Sequence, residues 1–272
     1  MTTPAPEAPL VASPIAKHTA SVILIHAIGD TGEGWRGVAE RLSKDVPHVK
    51  WIFPHAPTGE VTAYNKKCIP RWFDISSYDF DKAEENRGDM FKAASMIDQL
   101  VQKEVDAGIP PERVVIGGFS QGGAVALLTS LTSRPADGFG GGKEGWKVAG
   151  IVVVSGWLPF RNDFQQFLSP HAAKTPIFWG HGTDDNVVRY KFADTFVKKL
   201  TSAFGIPMVE RHTLGIEYNA QCISNLPSSS QAKGELGSPG LSFRTYKALG
   251  HQLCAREERD LSEFLRRVIP PL

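Results

Sequence analysis

Six short apolar runs, rich in β-branched and aromatic residues, constrain the fold more than any other feature of the chain. They are Ser21–Ile25, Val49–Phe53, Val114–Gly117, Val148–Val154, Pro176–Trp179 and Ser242–Tyr246. A strand with one wet face alternates apolar and polar residues, whereas a continuous run signals a strand covered on both faces. Between the runs lie segments of helical periodicity: Gly34–Leu42, Arg87–Ala107, Gln121–Thr132, Val187–Phe204 and Ala255–Val268. In the longest of these, Met90, Ala94, Ile97, Leu100, Val101 and Val105 share one face. Strands separated by helices need crossover connections. The pattern therefore predicts an α/β fold, a mostly parallel central sheet with helices on both faces.

A length of 272 residues suits one large domain of this kind. Residues 1–18 are rich in Pro and Ala and lack a basic start followed by an apolar run. They read as a disordered lead, not a secretory signal, before a single domain over 19–272. Within that domain, Leu214–Gly240 carries Asn, Ser, Pro and Gly with little periodicity and reads as an inserted surface loop. Ala136–Gly145 is a shorter Gly-rich loop. The formal net charge of +1, without a long basic run, removes the electrostatic case for nucleic acid. No stretch of roughly 18 apolar residues offers a membrane span. The three cysteines, Cys68, Cys222 and Cys254, are too few and too scattered for a disulfide framework or a metal site, which points to a reducing, cytoplasmic compartment. No spacing among the eight histidines matches a zinc pattern, so neither a metal nor another cofactor is expected.

Gly118-Phe-Ser120-Gln-Gly122 matches the G-x-S-x-G nucleophile elbow. Its context matters more than its letters. A buried strand precedes it, and a helix opening with Gly122, Gly123, Ala124 and Ala126 follows. A sharp strand-to-helix turn exposes the serine, and the small neighbours leave room for it. A serine nucleophile needs a base, and the base needs a carboxylate to orient it. In this arrangement the order along the chain is Ser, then Asp or Glu, then His, each following a strand. The loop after Pro176–Trp179 offers Asp184 and Asp185, of which Asp185 is favoured; helix capping near Val187 is the competing role for either. The loop after Ser242–Tyr246 ends in His251, while His212 has no such loop. His26, His55 and His181 also sit at strand ends, where a structural hydrogen-bonding role is the default. The helix start beside Ser120 supplies the Gln121 amide for an oxyanion. The Gly-rich loop His26–Trp35 supplies a second, at Ile28. Trp72, Phe73, Trp157 and Leu158 are candidates to line an apolar acyl groove or, equally, to pack in the core.

Together these motifs resemble the acyl-protein thioesterase and small carboxylesterase/lysophospholipase family. The matching pieces are His26–Trp35, Phe53–Pro57, Pro70–Asp74, Gly117–Gly123, Ser155–Pro159, His181–Asp185 and Gly250-His251, spread over roughly residues 20 to 270. The resemblance implies an α/β-hydrolase fold and a serine hydrolase whose catalytic residues fall on Ser120, Asp185 and His251. Its oxyanion donors fall on Ile28 and Gln121. It implies a cytoplasmic enzyme acting on acylated proteins, small acyl esters or lysophospholipids. A thioesterase that deacylates proteins is the first expectation and a broad carboxylesterase or lysophospholipase the second. A silent binding protein on a hydrolase scaffold is the third, and the intact Ser120, Asp185 and His251 set opposes it. The chain departs from the family pattern at Ala27, where relatives carry Gly. It also departs at Lys66 and Lys67, which lie where relatives place an apolar loop. Those lysines permit at most transient contact with an anionic membrane surface.

Overall fold

All six apolar runs become interior strands of one eight-stranded sheet. The computed structural model describes residues 7–134, 144–215 and 235–272. In chain order its principal elements are β1 (Leu10–Ala12), β2 (Ala20–Ile25), α1 (Arg36–Leu42), β3 (Val49–Phe53), β4 (Thr58–Val61) and β5 (Lys67–Pro70). There follow α2 (Arg87–Asp106), β6 (Val114–Phe119), α3 (Gln121–Leu131), β7 (Gly150–Val154) and β8 (Pro176–Gly182). The chain ends with α4 (Tyr190–Ser202), β9 (Met208–Leu214), β10 (Gly240–Tyr246) and α5 (Ala255–Val268). The sheet order is β1-β3-β2-β6-β7-β8-β10-β9. Every pairing is parallel except β1 with β3.

The continuous apolar runs are explained by the two faces they serve. Successive side chains of a strand point to opposite sides. Ile23 and Ile25 of β2, with Ile116 of β6 and Val153 of β7, join a core against α2, α3 and α4. Their neighbours Val22, Leu24, Val115, Val152 and Val154 join a second core against α1 and α5. Helix α3 is buried at every residue, because it lies between the sheet and α2.

The edges differ from expectation. Leu10–Ala12, expected within a disordered lead over 1–18, pair with Trp51–Phe53 as an antiparallel edge strand. The Ile15 and Ala16 amides both donate to the Pro47 carbonyl at 2.8 Å, and the Thr19 amide to His48 at 3.2 Å. Backbone hydrogen bonds hold this segment despite its unpromising composition; residues 1–6 lie outside the described residues. Met208–Leu214 forms the other edge, parallel to β10, an arrangement a tight hairpin cannot join. Of the loops expected at 214–240 and 136–145, residues 216–234, with Cys222, and 136–143 lie outside the described residues.

Strands β4 and β5 form a separate antiparallel ribbon. With the irregular chain that follows to Glu85 they make an excursion from the main sheet between β3 and α2. Among the described residues no helix is long and apolar enough to cross a membrane.

Candidate active site

Ser120 stands between β6 and α3 with φ +54° and ψ −117°, a conformation that L-residues adopt at a cost. Its amide donates to Val154 of the neighbouring strand at 2.8 Å, which anchors the turn to β7. The flanking glycines are required by contact. A Cβ on Gly118 would stand 2.3 Å from the Gly122 carbonyl carbon, and one on Gly122 would stand 2.1 Å from the Ile25 carbonyl oxygen. The elbow therefore forms because these two positions lack side chains. Ser120 is only 4% exposed, and it opens on a cavity.

Asp185 and His251 meet across the ends of neighbouring strands. β8 and β10 pair in parallel up to Gly182 and Tyr246. Beyond the ladder their loops stay joined: the Thr183 amide donates to Tyr246 and the Asp184 amide to Leu249, both at 2.9 Å. Asp185 divides its two oxygens. Oδ1 accepts the amides of Val187 and Val188, each at 2.9 Å. Oδ2 lies 2.7 Å from His251 Nδ1 and 3.5 Å from His181 Nε2. One carboxylate thus holds the turn after β8 and meets the histidine; it does not cap a helix, because α4 has Arg189 as its N-cap residue and no side-chain cap. That local turn also moves the start of α4 to Tyr190, three residues past the expected Val187. Asp184 is exposed, and its side chain accepts a hydrogen bond from the neighbouring Thr183 hydroxyl at 2.9 Å. With Nδ1 committed to Asp185, the His251 ring has Nε2 available for other work. Phe119 packs against that ring at a centroid distance of 4.7 Å.

His181 is fully buried, and its Nε2 lies 2.7 Å from the Val188 carbonyl. Burial pushes its pKa below the ordinary value, so it stays neutral under Asp185. His55 accepts the Gly32 amide at 3.3 Å. His26, His55 and His181 all occupy structural hydrogen bonds.

The cavity measures about 180 Å³ and brings Ser120 and His251 together with Ile28. Its apolar wall includes Tyr64, Ile75, Tyr78, Phe80, Trp157 and Val188. Of the four apolar candidates, Trp157 lines it. Leu158 is fully buried in the core, and Trp72 is buried with both its N–H groups committed to hydrogen bonds. Phe73 faces a much smaller neighbouring space beside Glu85 and Arg161. Tyr64, Tyr78 and Phe80 were not found by sequence reasoning, because the excursion that carries them has neither helical nor strand periodicity. Tyr78 donates a hydrogen bond to the Tyr64 hydroxyl. Among the described residues no three or more His, Cys, Asp or Glu side chains converge as a metal site requires.

A mostly parallel sheet covered on both faces, with a strained serine at a strand-to-helix turn and a carboxylate–histidine pair following the strands two and three places away, defines an α/β-hydrolase. Comparison with known proteins narrows the class. Residues 6–222 match the model of a family described as phospholipase/carboxylesterase. The chain is 37% identical over 259 residues to an acyl-protein thioesterase 1 of Cryptococcus neoformans, covering 94% of this chain and 95% of that one. It is 33% identical over 270 residues to an acyl-protein thioesterase 1 of Neurospora crassa, covering 96% and 92%. The fold is similar to that of Zea mays acyl-protein thioesterase 2, with a TM-score of 0.72 at 24% identity over 96% of this chain and 98% of that one. Arabidopsis thaliana SOBER1 gives 0.70 at 23%, over 92% and 99%. The chain belongs to the phospholipase/carboxylesterase family and is a hydrolase.

Proposed function

We propose that this hydrolase cleaves acyl thioesters, with acylated cysteines of proteins as its substrate class, through a Ser120–His251–Asp185 triad. His251 Nε2 takes the proton from Ser120 Oγ as that oxygen attacks the acyl carbonyl. The amides of Ile28 and Gln121 hold the oxyanion that forms. Collapse of the tetrahedral intermediate expels the thiol, which leaves with the proton returned by His251. Water then attacks the acyl-enzyme by the same route and regenerates Ser120. Asp185 keeps the imidazole proton on Nδ1 and stabilises the cation formed during each step. The single observation that carries this reading is the 2.7 Å contact of His251 Nδ1 with Asp185, in a cavity shared with the strained Ser120.

The apolar wall suits an acyl chain, and the identity to thioesterases over nearly the whole chain supports the protein substrate. The same wall supports a second reading, a broad carboxylesterase or lysophospholipase, because it recognises the acyl part and not the leaving group. Cytoplasmic action goes with either. Intact-mass spectrometry after fluorophosphonate treatment tests the nucleophile: one adduct on the natural chain and none on Ser120→Ala is expected. No adduct on folded natural chain would refute the triad and favour a silent binding scaffold. Turnover of S-acyl peptides compared with lysophospholipids and aryl esters then decides between the two substrate classes.

A further inference from the structure

His26 follows β2 directly and is only 1% exposed. Its Nε2 lies 3.0 Å from the Ala56 amide nitrogen. An amide N–H can only donate, so Nε2 holds a lone pair and the neutral ring carries its proton on Nδ1. Burial pushes the His26 pKa down, in keeping with that neutral form. Nδ1–H then donates to the Ala27 carbonyl at 2.7 Å, and the Asp30 amide donates to the same oxygen at 3.2 Å. Within a trans peptide the carbonyl and the following N–H point in opposite directions. Holding the Ala27 oxygen therefore turns the Ile28 N–H the other way. Gly29, at φ +78°, lets the chain reverse, and its amide is fastened to the Pro70 carbonyl at 2.7 Å.

The second donor is tied to the first through Trp72. The Gln121 side chain accepts the Trp72 amide at 2.8 Å and donates to the Phe73 carbonyl at 2.9 Å. That pair of partners fixes which end of the side-chain amide is oxygen. The Trp72 indole N–H donates to the His26 carbonyl at 2.9 Å, and the two rings lie 5.1 Å apart. One buried tryptophan thus joins the residue before the Ile28 loop to the residue after the nucleophile.

We propose that His26, Trp72 and the Gln121 side chain form a bridge that fixes the relative aim of the Ile28 and Gln121 amides toward a shared oxyanion. The inference rests on the oxyanion roles given to those two amides under the proposed function. His26 and Trp72 are positioning residues: they act on the reacting oxygen only through the backbone they hold. Donors contribute most when they are already aimed before charge develops, so a loosened bridge lowers the rate of the chemical step more than substrate affinity.

Trp72→Phe keeps an aromatic ring at this buried position while deleting the indole N–H together with part of the ring volume. Gln121→Ala keeps the backbone amide and deletes the side-chain tie. Each is expected to lower kcat about 10- to 100-fold on an S-acyl peptide, somewhat below the loss of a whole oxyanion donor, with KM changed less than about threefold. Because both act on one unit, the double variant should lose far less than the product of the two. His26→Asn, whose side-chain NH2 can replace Nδ1–H, should retain more kcat than His26→Ala. Urea midpoints identify any variant that fails to fold, and Trp72→Phe, the mildest, keeps the test open if His26→Ala fails. The bridge is overturned if folded Trp72→Phe and Gln121→Ala keep natural kcat, if only KM rises, or if their effects simply multiply. Fluorophosphonate labelling of the natural chain at Ser120 separates this failure from failure of the triad itself.

Discussion

The division of labour on Asp185 makes Asp185→Asn an informative perturbation. Asparagine is nearly the same shape, and its oxygen can still accept the Val187 and Val188 amides that Oδ1 holds at 2.9 Å. Its NH2 must then face His251 Nδ1, where a carboxylate oxygen stood at 2.7 Å. Two donors cannot share that contact, so the ring moves its proton to Nε2 and can no longer accept one from Ser120. The same acid-to-amide swap in a serine-protease triad lowers kcat by about 10⁴, equivalent to roughly 5.4 kcal/mol on the barrier. The cost to folding is smaller. A charge-assisted hydrogen bond contributes about 1.5–3 kcal/mol, and removing a buried charge offsets part of that. Steady-state hydrolysis of an S-acyl peptide, beside urea unfolding, separates the two effects. Asp184→Asn is the control: Asp184 is exposed and should tolerate the change in both assays. Activity of Asp185→Asn within tenfold of the natural chain, or an equal loss in Asp184→Asn, would refute the assignment.

Three further outcomes follow from local geometry. Gly122→Ala places a Cβ 2.1 Å from the Ile25 carbonyl oxygen and 2.8 Å from that of His26, so backbone must move. A stability loss of about 1–3 kcal/mol or more in urea, with slower fluorophosphonate labelling, is expected, and an unchanged midpoint would contradict it. Ser120→Gly removes the side chain held at φ +54°; relief of about 1–3 kcal/mol of strain, less the entropy cost of glycine, should leave an inactive protein more stable by about 1 kcal/mol. A lower urea midpoint would mean that the serine is not strained. Glu257 is fully buried, neither carboxylate oxygen has a hydrogen-bond partner among the described residues, and burial followed by Asp260 pushes its pKa well above the ordinary value. The fold then retains a proton that the unfolded chain releases, so this group's stability is complete below the ordinary carboxylate range and lost as pH rises through the raised value. Glu257→Gln should therefore raise the urea midpoint at about pH 8 and converge with the natural chain near about pH 4. A variant less stable at the higher pH would overturn that sign.

The interior of the sheet was legible because strands buried on both faces must be apolar at every position. Ser21–Ile25 and Val148–Val154 announce themselves for that reason. Leu10–Ala12 has only three residues and one exposed side, so its pairing is written in backbone hydrogen bonds that leave little trace in composition. The pairing of His251 with Asp185 was legible through order along the chain and strand-end placement. Which aromatic residues face the cavity was not. Trp72 and Trp157 have the same apolar character, and only the tertiary arrangement puts the first in hydrogen bonds and the second in the wall. Leu158, next to Trp157 in the chain, takes the core-packing role that its sequence left equally open.

The ribbon of β4 and β5 and its trailing chain have a consequence for how such a protein can change over evolutionary time. Ser120, Asp185 and His251 follow strands of the main sheet, where a Cβ at Gly118, Gly122 or Gly182 would run into backbone. Much of the apolar wall, at Tyr64, Ile75, Tyr78 and Phe80, is mounted on the excursion. The excursion meets the chemistry at one fixed seam, where Pro70, Trp72 and Phe73 are fastened to Gly29, His26 and Gln121. Drift beyond that seam can reshape what the cavity admits while the reacting atoms stay where they are. Descendants of one such enzyme could therefore diversify in diet while inheriting a single reaction.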